Sequence, residues 1–429
     1  MNVVVLGLWH LGGVTAACCA EHFSVVGLDF DEPTVAGLRD GRAPLFEPGL
    51  DDLLQRGIAS GRLKFAVGAD QDALGAADVL WVCYDTPVDE NDVADVPFVL
   101  ERLEACLPAL RPDAVVLLSS QVPAGTCREL EARHPGISFA YSPENLRLGK
   151  ALDVFRHPER IVAGTRTAAA REVLGRLFAP FCEHVIWMRP ESAEMTKHGI
   201  NAWLALSVTF ANEIARLCEA VGADAREVEQ GLRSEPRIGA KAYIRPGAAF
   251  AGGTLARDVV ALTRLAREHG EQAAIFPAIL AGNEAHKDWA LRKLQTLLDP
   301  LAGATVAVLG LTYKPETSTL RRSGAVELGA KLLAAGARVR CYDPVVRELP
   351  AELAGAQMCA TLEEAVRDAD AAVVATEWRQ IKEAAWPALT QQMRRRVIVD
   401  ANRFLGLRDD QLAGIEYAAV GAPTASSAR

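Results

Sequence analysis

Residues 1–30 read MNVVVLGLWHLGGVTAACCAEHFSVVGLDF. Positions 2–8 form a short apolar run with a late glycine, positions 12–21 repeat at helical spacing, and SVVGLDFD (24–31) is a second apolar run closing on acids. Strand, tight turn, helix and strand in that order open a dinucleotide-binding fold. The turn, Gly7-Leu8-Trp9-His10-Leu11-Gly12, has the first and third glycines of a G-x-G-x-x-G fingerprint and Trp9 in the middle. The middle glycine lets backbone approach a pyrophosphate, so Trp9 is expected to weaken or displace it. Asp29 follows Gly7 by 22 residues, where an acid bonds the adenosine ribose and its charge disfavours NADP. The competing expectation is a Rossmann-like domain with an occluded site.

Outward from this stretch the theme continues. DVLWVCY (78–84), AVVLLSS (114–120), FAYSP (139–143) and RIVAG (160–164) read as buried strands, with helical patterns between most of them. A parallel, doubly wound sheet follows. Over 192–225 the strand pattern stops and apolar residues recur at helical spacing, which predicts one long helix. A second helical block covers about 257–297. At Ala304 the opening returns as ATVAVLGLTYK, then a helix over 324–335, ARVRCYDP, AAVVAT (371–376) and VIVDAN (397–402). Val3 to Leu8 and Val306 to Leu311 share VxVLGL. The expected class is α/β, two Rossmann-like doubly wound domains joined by a long central helix. The expected boundaries are 1–190, 191–298 and 299–420, with a disordered small, polar tail over 421–429.

Composition narrows the partners. The 429 residues carry a formal net charge of −9 and are 50% apolar, which gives no basic face for nucleic acid. The opening lacks a basic segment and holds too many turn residues for a membrane helix, so no signal peptide, no membrane partner and a cytoplasmic location are expected. Nine cysteines include no CxxC pair, and Cys19 with His22 makes a lone CxxH. An odd, unpatterned set fits reduced thiols, and no metal is expected.

Further motifs follow in order: FEPGLDDLL (46–54), DTP (85–87), SSQVPAGT (119–126), SPENLRLGKALDVFRHPERIVAG (142–164) and AEMTKHGINAWLALSVTFANEIARLCEAVGAD (193–224). After them come RIG (237–239), YIRPGAAFAGGTLARD (243–258), LGLTYKPETSTLRRS (309–323), YDP (342–344), TEW (376–378) and DANRF (400–404). Each alone is weak. Together, over nearly the whole chain, they resemble the UDP-glucose/GDP-mannose dehydrogenase family. VTFANEI and YIRPGAAF look more like the GDP-mannose branch.

The resemblance implies NAD on the first domain, a nucleotide-sugar substrate held by the last, and a homodimer formed through the long helix. It implies cofactor contacts at Gly7, Leu11, Gly12, Asp29, Thr86 and Gln121. It implies substrate contacts at Tyr243, Arg245, Gly252, Lys314 and Arg321, with Arg237 reaching a partner's site. Its catalytic positions fall on Glu144, Lys197, Asn201, Thr254 and Asp258. Lys197 and Asn201, four apart, share one helix face. There a lysine stabilises an alkoxide or carbonyl oxygen, an asparagine orients a water, and Asp258 accepts the proton. For a helix lysine the plain alternative is a solvated surface cation. His10 and His198 are read as surface or packing histidines.

Several positions depart from the family. Its nucleophilic cysteine, in a GFGGSCxxKD-like stretch, falls on Thr254, and its lysine on Arg257. A thiol ionises near ~8.5 and stores the product as a thioester, whereas a hydroxyl needs a dedicated base. In the stretch matching PEFLxEG, Leu148 stands for the second glutamate. Gln121 replaces a threonine, and the TDDxR pattern reads Thr317-Ser318-Thr319-Leu320-Arg321. The expectation is a single two-electron oxidation at carbon 6 to a ketone or aldehyde. The alternatives are the ordinary four-electron reaction to a uronic acid and a non-catalytic sugar-nucleotide binder.

Overall fold

The opening run becomes β1 (Asn2–Leu6) and SVVGLD becomes β2 (Ser24–Asp29), with α1 (His10–Cys19) between them. The computed structural model describes residues 1–89, 94–144, 146–251 and 253–423, and the chain divides into units of 1–200 and 201–429. Six more strands complete the first sheet: β3 (Leu63–Val67), β4 (Val79–Val82), β5 (Val115–Leu118), β6 (Ser138–Tyr141), β7 (Ile161–Gly164) and β8 (Val185–Met188). Their order is β3-β2-β1-β4-β5-β6-β7-β8. All pairings are parallel except β6 with β7, which meet antiparallel at Tyr141 and Gly164. The sequence reading passed over β3 and β8, which are short and partly exposed.

Both faces of this sheet are covered. Val3 and Val5 pack into the core on one side, Val4 and Leu6 into the core on the other. That is why β1 is apolar at consecutive positions rather than alternately. Leu6 is fully buried, so Leu6→Ala is a cavity-forming change of about 2–5 kcal/mol.

The second unit repeats the plan with β9 (Thr305–Leu309), β10 (Arg338–Tyr342), β11 (Gln357–Met358), β12 (Ala371–Val374), β13 (Val397–Val399) and β14 (Glu416–Ala418). Its order is β11-β10-β9-β12-β13-β14, all parallel. In each unit the first strand sits where the winding reverses, between β2 and β4 or between β10 and β12. In such sheets ligands bind at the carboxyl ends of the strands at this switch point.

The long helix is Pro190–Val221, 32 residues and about 48 Å at 1.5 Å per residue. It starts two residues before the expected 192 and stops four before 225. Ala193, Ala202, Ala205, Ala211 and Ala215 are buried along it, together with the polar Glu194, Lys197, His198, Asn201 and Asn212. Trp203, Phe210 and Leu217, seven apart, are 66%, 44% and 63% exposed. The second helical block resolves into Thr254–Glu268, Ile275–Lys287 and Trp289–Leu297. Among the described residues no helix is long and apolar enough to cross a membrane. Residues 424–429 of the expected tail lie outside the described residues.

Candidate active site

The turn after β1 is built on two glycines. Gly7 has φ +92, and a Cβ there would lie 2.7 Å from the Tyr84 ring. A Cβ on Gly12 would collide with the carbonyl oxygen of Gly7. Both positions therefore require glycine. Trp9 does not share this constraint: its φ is −69, and it is the N-cap of α1 with its side chain 47% exposed. Asp29 is buried and accepts from the backbone N–H groups of Leu8 at 2.6 Å and Asp31 at 3.1 Å. It thereby ties the turn to the end of β2. The second unit repeats the device, with Gly310 at φ +87 and the Leu311 N–H donating to Asp343 at 2.7 Å.

The loops at the carboxyl edge of the first sheet are cross-tied. Thr86 donates from Oγ1 to the Gln121 carbonyl at 2.9 Å, so these two expected cofactor contacts are adjacent. Glu194, fully buried, accepts from the N–H groups of Gly125 at 2.5 Å and Cys127 at 2.8 Å. Its carboxylate fills the N-terminus of the helix Thr126–Arg133, and burial pushes its pKa up. Glu47 of the FEPGL motif accepts from Gly149 and Ala151, each at 2.8 Å, and from the His10 ring at 3.0 Å. His10, which had no expected role, thus links α1 to the loop that carries Glu144 and Leu148. Sequence reasoning quoted FEPGL without seeing this, because the partners lie more than 100 residues apart.

Lys197 is not a solvated helix lysine. It is 6% exposed, and Nζ donates to the Glu144 carbonyl oxygen at 2.7 Å and to Oε1 at 3.0 Å. The other oxygen of Glu144 accepts from the Leu146 N–H at 3.0 Å. Within the first unit, then, the structure joins the two residues that the motifs proposed 53 positions apart. His198 is buried, with its ring against the Val122 carbonyl at 3.2 Å, in keeping with a packing role.

In the second unit Asn201 donates from its amide to Asp258, whose carboxylate is 0% exposed. Thr254 is the first residue of the helix Thr254–Glu268 and is exposed, one turn before Asp258. Gly252 lies outside the described residues. The preceding loop is clamped by buried polar groups. Asn212 accepts from the Gly247 N–H at 2.9 Å, Asn283 accepts from the Phe250 N–H at 2.9 Å, and the His286 ring meets the Gly247 carbonyl at 2.8 Å. Burial and the nearby Arg216 and Arg292 lower the His286 pKa to about 4, so the ring is neutral at pH 7.

Asn402 of DANRF closes the loop from the other side. It accepts from the Ala248 N–H at 2.7 Å, and a Cβ on Gly247 would collide with it. Its carbonyl receives Arg245 at 3.0 Å and Arg226 at 3.1 Å. Arg403 forks onto Asp224 at 2.7 and 3.0 Å. Tyr243 and Arg245 are exposed. Arg321 is exposed, and Lys314 is half-buried with its Nζ 5.6 Å from the Tyr313 ring centroid. Arg237 points into solvent and pairs with Glu235 at 2.8 Å.

Models of three domains of one family match the chain in order: the NAD binding domain over residues 1–182, the central domain over 191–285 and the UDP binding domain over 307–406. The chain belongs to the UDP-glucose/GDP-mannose dehydrogenase family. It is 35% identical to the UDP-glucose 6-dehydrogenase of Pseudomonas aeruginosa, with 99% of this chain and 98% of that one covered. The UDP-glucose dehydrogenase of the hyperthermophilic archaeon Pyrobaculum islandicum superposes with a TM-score of 0.84 at 31% identity, covering 98% and 97%. The GDP-mannose dehydrogenase of Pseudomonas aeruginosa, in a ternary complex, gives a TM-score of 0.52 at 25% identity, covering 98% and 100%.

As a member of this family the chain is an NAD-dependent nucleotide-sugar dehydrogenase. The first unit fits NAD at the glycine cradle of residues 7 and 12 and at Asp29. The Tyr84 ring packs against Gly7 of this cradle, and its hydroxyl is buried with no hydrogen-bond partner among the described residues. No cysteine occurs between Cys218 and Cys341. Cys218 is 17 residues beyond Asn201 on one helix, about 25 Å along its axis, and packs into the core of the second sheet. Cys83, at the end of β4, is fully buried, and burial holds its thiol protonated.

Proposed function

We propose that this dehydrogenase takes one hydride from carbon 6 of a UDP-linked sugar and stops at a ketone or aldehyde. The observation that carries the reading is Thr254 at the head of its helix, on a segment without a thiol. NAD supplies the hydride acceptor. Lys197 stabilises the substrate oxygen as its charge grows, and Glu144 fixes the ammonium. Asn201 orients a water, and Asp258 receives the hydroxyl proton through it. The O–H bond gives its proton to the water and Asp258, its electron pair becomes the second C–O bond, and the C–H pair leaves with the hydride to NAD.

A second hydride requires the carbonyl carbon to become tetrahedral again. A threonine hydroxyl does this poorly at neutral pH, and Leu148 removes a carboxylate that would activate water. A secondary alcohol at carbon 6, found in sugars longer than six carbons, avoids the difficulty, because a ketone has no hydride to lose. Two short segments resemble the GDP-mannose branch, but similarity over the whole chain favours uridine. The chain's likeness to named UDP-glucose 6-dehydrogenases supports a second reading, the four-electron reaction to a uronic acid.

The test is a screen of purified protein with NAD and UDP- or GDP-sugars, with product mass and NADH counted together. One NADH per sugar and loss of two hydrogens are expected. Two NADH and a uronic acid would favour the second reading and remove Thr254 as the inactive position.

A further inference from the structure

Two side chains that the cofactor's fingerprint does not call for converge on the N-terminus of α1. One is Trp9. The other is Asp85, two residues beyond Cys83 at the carboxyl edge of β4, the strand beside β1 at the switch point. The Asp85 carboxylate accepts from the Leu11 N–H at 3.4 Å. Leu11 is in the first turn of α1, whose free amides and dipole attract an anion. In a dinucleotide-binding fold that anion is the pyrophosphate.

We propose that Asp85 is an intramolecular stand-in for the cofactor pyrophosphate, displaced when NAD binds, and that it sets a low affinity for the dinucleotide. Three observations support this. The hydrogen bond to Leu11 is long, so this one contact is a weak hold on the amide that the pyrophosphate would take. Asp85 is exposed, so its exit needs no rearrangement of the core. The backbone needs glycine at 7 and 12 but not at 9, so Trp9 is compatible with the turn and changes only the space above it. Bulk at position 9 and charge at position 85 therefore act on the same ligand group and leave the fold intact. A bound pyrophosphate near an ionised Asp85 meets repulsion, which salt weakens.

Calorimetry on the full chain tests this without turnover. The ligands are NAD, ADP-ribose and adenosine, and the proteins are wild type, Asp85→Asn and Asp85→Gly. Both substitutions are expected to tighten NAD and ADP-ribose about tenfold and leave adenosine, which has no phosphate, unchanged. Raising the salt concentration should narrow the gap between wild type and Asp85→Asn. Equal or weaker NAD binding by both variants overturns the proposal and makes Asp85 a ligand-holding residue or a bystander. Equal tightening of adenosine overturns it too, because the effect would not be on the phosphates. Failure of all three proteins to bind NAD also overturns it, since Asp85 would not be what limits affinity.

Discussion

Lys197 and Glu144, 53 residues apart in sequence, meet through two contacts: Nζ lies 2.7 Å from the main-chain carbonyl of Glu144 and 3.0 Å from its Oε1. The carbonyl contact fixes the ammonium even if the carboxylate turns away. Lys197→Met should therefore lower kcat by ~10²–10³-fold, the loss expected when a charge aimed at a developing oxyanion is removed. Affinity for NAD should stay within about twofold. Steady-state kinetics with calorimetry separates the two, and a kcat within about fivefold of wild type would return Lys197 to a purely structural role.

Thr254→Cys places a thiol at an exposed position that opens a helix, where the proposed reading puts the family's nucleophile. With a secondary-alcohol substrate the rate should change by less than about twofold, because no aldehyde forms. With a hexose the variant should trap the aldehyde as a hemithioacetal, visible in the intact protein mass. A rate gain on the secondary alcohol would count against the single-transfer reading.

Trp9→Gly should tighten NAD by about tenfold, since the fingerprint's middle glycine leaves room for the pyrophosphate that a side chain takes up. Thermal stability should fall by less than about 1 kcal/mol, the ordinary cost of glycine at an N-cap in place of a residue without a cap bond. Unchanged affinity in a titration followed by calorimetry would show that the indole lies clear of the cofactor.

His286 ties a pH dependence to the loop at Gly247. Its pKa is about 4 in the fold, below its ordinary 6.5, chiefly because it is buried. Above 6.5 both folded and unfolded forms are neutral, and the full stability is present. As pH falls from 6.5 towards 4 the unfolded chain takes up the proton first, so about 3 kcal/mol is lost across that window. Denaturant melts at steps of pH should show this slope, and His286→Gln should flatten it. An identical slope in the variant would assign the effect elsewhere.

The long helix presents Trp203, Phe210 and Leu217 to solvent at seven-residue intervals, an apolar stripe suited to a second copy of the same helix. A homodimer is the expected state at micromolar concentration. Trp203→Glu combined with Leu217→Glu should shift light-scattering mass to the monomer while circular dichroism stays unchanged. A wild-type monomer would sink the expectation.

Much of the fold was legible because it rests on local pattern. The apolar run 2–6, Gly7, Gly12 and the acid closing β2 each follow from short-range sterics and burial, and the repeat of VxVLGL announced the second sheet. The boundaries of the long helix were off by two residues at one end and four at the other, since capping and packing decide ends. The antiparallel contact of β6 with β7 had no signal, because strand direction depends on how the connection between them folds.

The chain's own order of residues settled the family and the glycine cradle, and it shows that the segment around Thr254 carries no cysteine, all of which depend on which side chain occupies which position. Only the tertiary structure decided that Lys197 is buried on Glu144, that Glu47 holds His10 and the 149–151 turn, and that Asp85 reaches Leu11. These contacts span 37 to 104 residues. Their geometry comes from strands brought side by side in a sheet, and no local propensity or spacing encodes which distant loops will share an edge.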